Sequence, residues 1–326
     1  MSVDNDPNRP VLYQHARRPQ WGLAILCRED KTSRTFQFQD GRTRTFKEGW
    51  YELMEPVEAE ENQSEEIAST LSKAMDRQIT RSRIMERAKK EGRNIFTVSD
   101  QVNLFRQEYP GGFQDERYIE EVRQGGGGGR RRKKNREAGI EHAQTTLSVE
   151  SIDDLISSYN YRAVYEAAIA LLSKTDIAST STDVRPLRRL PEDLIPEFAV
   201  TLRDLLYGED PYPDRFGGYL ALLEDHEETR PTWPMATVIQ GLVHPQKHYC
   251  IKPSVFRQQA RWLAPELSYS PQPSASRYQQ YHAMAEDLKL RLTRAELEPI
   301  DNLDIYNFIW ETMRPGVRKG LLAVKR

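Results

Sequence analysis

At 326 residues the chain is longer than one hydrophobic core usually serves, so two or three folded units are expected. Lysine and arginine (47) nearly balance aspartate and glutamate (49), and the formal net charge of -2 excludes whole-molecule polycation behaviour and restricts any nucleic-acid contact to a local patch. Charged residues at 29%, hydrophobic residues at 38% and a mean hydropathy of -0.74 point to long polar helices or linkers, and the two distant cysteines, Cys27 and Cys250, exclude a disulfide framework or a thiolate zinc cluster.

The polar start MSVDNDPNRP lacks the apolar stretch of a secretion signal, and no run approaches the roughly 18 apolar residues of a membrane span. The sequence therefore reads as cytoplasmic, with no membrane association. Residues 1–12 form a lead-in with little to bury. Trp21 to Arg28 is a short apolar run, Ser33 to Phe38 and Arg42 to Phe46 alternate, and Tyr51 to Met54 supplies a closing strand. Asp40-Gly41 between alternating runs is a strong hairpin signal, because both turn positions tolerate positive φ. Short strands joined by tight turns predict a small closed barrel over residues 10–57.

The run Trp21-Gly22-Leu23-Ala24, the strand Phe36-Gln37-Phe38, the Asp40-Gly41 turn and Thr43-Arg44-Thr45-Phe46 resemble the bacterial DUF3553 family, with Ala24 at the position of the usual second glycine. That family is similar to the SH3-like and Tudor-like barrels at the front of bacterial helicases and RNA-polymerase-associated ATPases. The resemblance implies a small barrel that meets nucleic acid or a nucleic-acid machine.

Residues 58–123 read as a helical connector. Ser64-Glu65-Glu66 opens an amphipathic helix carrying Ile67, Leu71, Ala74, Met75, Ile79, Ile84, Met85 and Ala88, with Arg81, Arg83, Arg87, Lys89 and Lys90 toward its C-terminal end, where cations complement the helix dipole. Val102 to Tyr109 is a second helix, stopped by Pro110-Gly111-Gly112. Residues 124–136 hold five consecutive glycines and then Arg130, Arg131, Arg132, Lys133, Lys134 and Arg136, the composition of a flexible basic linker. From 137 to 326 helical periodicity dominates, over Ser148 to Ser158, Ala163 to Leu172, Pro191 to Leu206, Tyr219 to Leu223, Met235 to Val243, Pro253 to Leu263, Ser274 to Leu292 and Asp301 to Met313. The predicted fold class is α+β: a small N-terminal SH3-like β-barrel followed by a mainly α-helical body. Pro234-Met235-Ala236-Thr237, His244-Pro245, Lys252-Pro253 and Asp304-Ile305-Tyr306 resemble a helical module of bacterial proteins, some encoded beside restriction or other defence genes.

No arrangement carries catalysis. His244 and His248 have helical metal-ligand spacing with His226 nearby, but Pro245 follows His244 where an H-E-x-x-H motif needs glutamate. Glu224 to Glu228 reads as a solvated helix end or loop, and Asp153-Asp154 and Glu286 to Lys289 as helical charge. The glycine run lacks the strand and the G-K-[ST] of a phosphate loop. No catalytic residue, metal or cofactor is therefore assigned.

What remains is binding chemistry. The basic block 130–136 would neutralise phosphates, and Arg28, Lys31, Arg34, Arg42 and Arg44 alternate with aromatics across the predicted barrel. Trp21, Phe36 and Phe38 are assigned to its core. Trp50 and Tyr51 are either an exposed partner-binding pair at the barrel mouth or the lid of its core. The expected function is a non-enzymatic adaptor whose barrel and basic linker contact nucleic acid, RNA polymerase or a helicase, and whose helical body binds a protein partner. The rivals are a protein-only scaffold or accessory subunit of a bacterial defence system, and a metal-dependent enzyme using the three histidines.

Overall fold

The computed structural model describes residues 10–57, 61–90, 96–126, 135–224, 230–265, 267 and 270–317. The chain divides into two compact units, Met1–Gly92 and Arg93–Arg326, a boundary inside the stretch read as a connector.

The first unit is built on five antiparallel strands, β1 (Leu12–His15), β2 (Leu23–Asp30), β3 (Ser33–Phe38), β4 (Thr43–Lys47) and β5 (Met54–Val57), in the spatial order β4-β3-β2-β1-β5. Strand β1, too short to show a periodicity, is the hub that pairs with both β2 and β5. The two-residue period gives the sheet two apolar faces. Ala24, Phe36, Phe38 and Met54 share one face with Tyr13, Trp21, Leu26 and Phe46. Leu12 and Ile25 lie on the other, where Ile67, Ala68 and Leu71 of helix α1 (Glu61–Lys90) cover them. That packing is why the first turns of α1 belong to the sheet. Each large side chain so buried contributes roughly 1.5–3 kcal/mol. A bulge at Cys27, between Leu26 and Arg28, switches which residues of β2 face the aromatic side, and so sets Glu29 beside Arg34.

The α+β expectation is met, with the sheet followed by a mainly helical body. The body runs through α2 (Val98–Glu108), α3 (Glu116–Tyr118, continued by a wide π turn Ile119–Arg123), α4 (Arg136–Thr146), α5 (Val149–Ser157), α6 (Tyr161–Lys174), α7 (Arg185–Leu187), α8 (Ile195–Tyr207), α9 (Tyr212–Glu224), α10 (Trp233–Val243), α11 (Pro253–Leu263), α12 (Ala275–Arg294) and α13 (Asn302–Met313). Every residue of α10 is buried, and in α13 only Trp310 is not, so these two helices are the centre of the body. Their N-termini are capped by Thr232, which accepts from the Met235 N–H, and by Asp301, which accepts from the Leu303 and Asp304 N–H groups.

The buried polar groups of α13 require partners. Arg123 is forked across Asp301 (Nη2 to Oδ2, 2.8 Å) and Asp304 (Nη1 to Oδ1, 2.6 Å), with Nε 3.1 Å from Glu137. The Tyr118 hydroxyl donates to Asp304 at 2.6 Å and accepts from Asn307 at 3.0 Å. Burial opposes the charge on Arg123, but the two carboxylates more than offset it and raise its pKa. Asp304 is pushed upward by burial, against the pull of Arg123.

Tyr159 follows α5 at φ +58° and is 80% exposed, a left-handed conformation that L residues other than asparagine and aspartate seldom adopt. Tyr159→Gly is expected to stabilise the protein by about 0.5–1 kcal/mol in urea unfolding, because glycine relieves that strain. His248 lies stacked 4.9 Å from Tyr212, its Nδ1 3.1 Å from the Tyr278 hydroxyl, and burial holds its pKa at about 3, with His244 and His282 adding repulsion. The unfolded chain protonates this ring near 6.5, so its contribution is complete above that pH and is lost as pH falls toward 3. Comparing urea midpoints at pH 8 and pH 4.5, the native chain should lose about 2 kcal/mol more than His248→Gln does.

Candidate nucleic-acid interface

The aromatic face of the sheet ends at one edge in a tight arrangement of two loops. Pro19 starts a single 3-10 turn that presents Trp21, and Gly22 at φ +75° brings the chain into β2. A Cβ on Gly22 would stand 2.7 Å from Gln39 Oε1, the atom that accepts the Leu23 N–H at 2.8 Å, so only glycine permits this closure. The facing loop is the β3–β4 turn, with Gly41 at φ +79° and the Asp40 N–H donating to the Trp21 carbonyl at 3.2 Å.

Arg44 joins the two loops. Its guanidinium lies 3.8 Å from the Trp21 ring centre and 4.8 Å from that of Phe38, and Asp40 takes it with both oxygens, at 3.0 and 2.6 Å. With its side chain only 16% exposed, it is a structural cation at the rim of the aromatic core. His15 packs edge-on against Trp21 at 4.6 Å and accepts the Arg17 N–H at Nδ1. Burial lowers its pKa, and the nearby charges of Arg18, Arg44 and Arg17 lower it further.

Around this clamp stand Arg17, Arg18 and Arg42, all exposed. No aspartate or glutamate occurs between residues 10 and 28, and Asp40 is the only one between 31 and 47, already committed to Arg44. This end of the sheet is therefore strongly positive beside a half-buried tryptophan.

The other sequence-derived candidates are dispersed. Arg28 is exposed but paired with Asp30 at 2.9 Å, and Lys31 is exposed at the tip of the β2–β3 hairpin. Arg34 pairs with Glu29 at 2.8 Å and lies 4.5 Å over the ring of Tyr51, which is half-buried beneath it, while Trp50 is 59% exposed. Glu48 and Glu52 add negative charge there, so the hairpin end nearly cancels. Arg130, Arg131, Arg132, Lys133 and Lys134 lie outside the described residues. Arg136, read as part of the basic linker, is instead the first residue of α4 and is buried, 3.3 Å from both oxygens of Asp176 and 5.3 Å over the Tyr306 ring. Packing inside the helical body removes it from any solvent-facing cluster.

Arg17 and Arg18 were absent from the sequence-derived set. Their sequence signal is two adjacent arginines in a 19-residue stretch without a carboxylate, with no strand-like alternation around them to point to a site. In the helical body, by contrast, a cavity of about 540 Å³ is lined by Glu197, Asp204, Asp210 and Asp214 with Arg215, a surface that repels polyanions.

His244 Nε2 donates to the Leu206 carbonyl at 3.1 Å, and its ring centre is 6.2 Å from that of His248, so both rings serve the packing of the body. His226 lies outside the described residues. No family model, curated protein or solved structure matches the chain.

Arg44→Gln should cost about 2–4 kcal/mol, since it removes the cation paired with Asp40 and uncovers Trp21, whereas Arg42→Gln should change stability by less than about 0.5 kcal/mol. Thermal and urea unfolding of the two variants separate the structural arginine from the surface one.

Proposed function

We propose that the chain is a non-enzymatic adaptor whose N-terminal sheet contacts nucleic acid, alone or as part of a polymerase or helicase assembly, and whose helical body engages a protein partner. The observation that carries this reading is the convergence of the exposed Arg17, Arg18 and Arg42 around the Trp21–Arg44 stack, where Asp40 is already paired with Arg44. Exposed guanidinium groups bind phosphate oxygens and release counterions. The resemblance of the strand and turn motifs to the small-barrel family of helicase and polymerase-associated proteins points the same way. For the helical body, the strained and exposed Tyr159 is the best-placed contact for a protein, since aromatic anchors dominate interface energy.

The test is fluorescence anisotropy of the full chain with labelled 20-nucleotide single-stranded DNA and RNA between 50 and 200 mM salt. Binding is expected to weaken steeply with salt. The Arg17→Gln, Arg18→Gln, Arg42→Gln triple variant should lose at least about tenfold in affinity at low salt and flatten the log–log salt slope by about 2–3. Unchanged affinity and slope in that variant would rule out the sheet as the contact.

A further inference from the structure

Helix α1 is 30 residues long, and its first turns meet the sheet through Ile67, Ala68 and Leu71. Residues 72–90 continue as helix, about 28 Å at 1.5 Å per residue. This length carries Lys73, Arg77, Arg81, Arg83, Arg87, Lys89 and Lys90 against Asp76 and Glu86, a net charge of +5. Complementing the helix dipole accounts for cations in the last turn alone, because that effect fades within one turn. Positions 73, 77, 81 and 83 lie outside it.

The arrangement of the charge is ordered. At about 100° per residue, positions 73, 77, 81, 83, 87 and 90 fall within one half of the helix circumference, and that half is opposite the stripe of Ile67, Ala68 and Leu71 that docks on the sheet. Lys89 is the exception, and Asp76 is the one carboxylate in the basic half. Ile79 and Ile84, 41% and 38% exposed, fall on different sides, so this length has no continuous apolar face for a bilayer. The net positive charge likewise opposes pairing with a second copy of itself.

We infer that residues 72–90 of α1 form a cationic rod that lies along the phosphate backbone of a nucleic-acid duplex. No phenylalanine, tyrosine or tryptophan occurs between 72 and 90, so the helix has no stacking platform of the kind single strands require. What it offers is charge along a rigid line, spanning about eight base pairs at 3.4 Å each, and contacts of this kind position a protein without reading sequence. The inference rests on the nucleic-acid reading of the sheet and adds a second contact to it, specific for duplex form.

The experiment uses the full chain and a labelled 20-base-pair DNA duplex, with the Arg77→Gln, Arg81→Gln, Arg83→Gln, Lys90→Gln variant beside the native chain. Glutamine keeps helix propensity, and circular dichroism checks that helicity is unchanged. The variant should bind the duplex at least about tenfold more weakly at 50 mM salt and flatten the salt slope by about 3–4. Replacing Arg77, Arg81 and Arg83 with lysine should preserve binding. An unchanged slope in the glutamine variant overturns the inference. So does a single strand bound by the native chain as tightly as the duplex, or poly-glutamate of equal charge competing as well as DNA, which would assign the rod to an acidic protein segment. If only the Arg17/Arg18/Arg42 variant loses duplex binding, the sheet contact stands and the rod fails. If only the helix variant loses it, the sheet contact fails. A native chain that binds neither form at low salt ends both.

Discussion

The helical body depends on one buried cation. Arg123, at the end of the π turn, is enclosed by Asp301 and Asp304 at the start of α13, a helix that packs against α2, α10, α11 and α12. An ion pair taken out of water gains little net energy when complete, but removing one partner costs about 3–5 kcal/mol, because the other charge is left uncompensated. The consequence is specificity. A helix buried on all sides can carry Asp304 and Asn307 only where Arg123 and Tyr118 meet them, so residues 118–123 and 301–307 have one permitted alignment. The wide turn over Ile119–Arg123 is the local device that aims the guanidinium inward.

The sheet unit uses an arginine in the same way at smaller scale. Arg44 lies over Trp21 and Phe38 and is gripped by Asp40, which ties the β3–β4 turn to the loop before β2. This removes Arg44 from the surface chemistry that its sequence pattern suggests. It also holds the two loops together, so the arginines that do face solvent, Arg17 and Arg18 on one and Arg42 on the other, share one end of the sheet. The positive surface is thus a by-product of an internal ion pair that neutralises the carboxylate of the β3–β4 turn.

Much of the architecture was legible because it rests on local pattern. The Asp40-Gly41 hairpin, the alternation of Ser33 to Phe38, and the apolar faces of α8, α12 and α13 are short-range signals, and the structure has strands and helices at those places. Strand β1 was not, since four residues cannot display a period and its role comes from pairing with β2 and β5. The site was less legible than the fold. Arg44 and Phe46, two residues apart, share one face of β4, but whether that face looks to solvent or to the core depends on strands far apart in sequence. Arg136 in a basic run and Arg123 in Ile119-Glu120-Glu121-Val122 look like surface charges, and only the carboxylates that fold against them show otherwise.

By itself the sequence determined what depends on neighbours along the chain: a strand-rich beginning, a helical remainder, the turn residues, and the cationic composition of residues 72–90. Tertiary structure alone decided which charges are consumed. Arg44, Arg123 and Arg136 are internal because aspartates from other segments reach them, and a low-dielectric interior admits a guanidinium only with such a partner. Arg17, Arg18 and Arg42 stay exposed, with no carboxylate ion-paired to them among the described residues. A charge declares its side of the surface only when its partner, or its lack of one, is set by the fold.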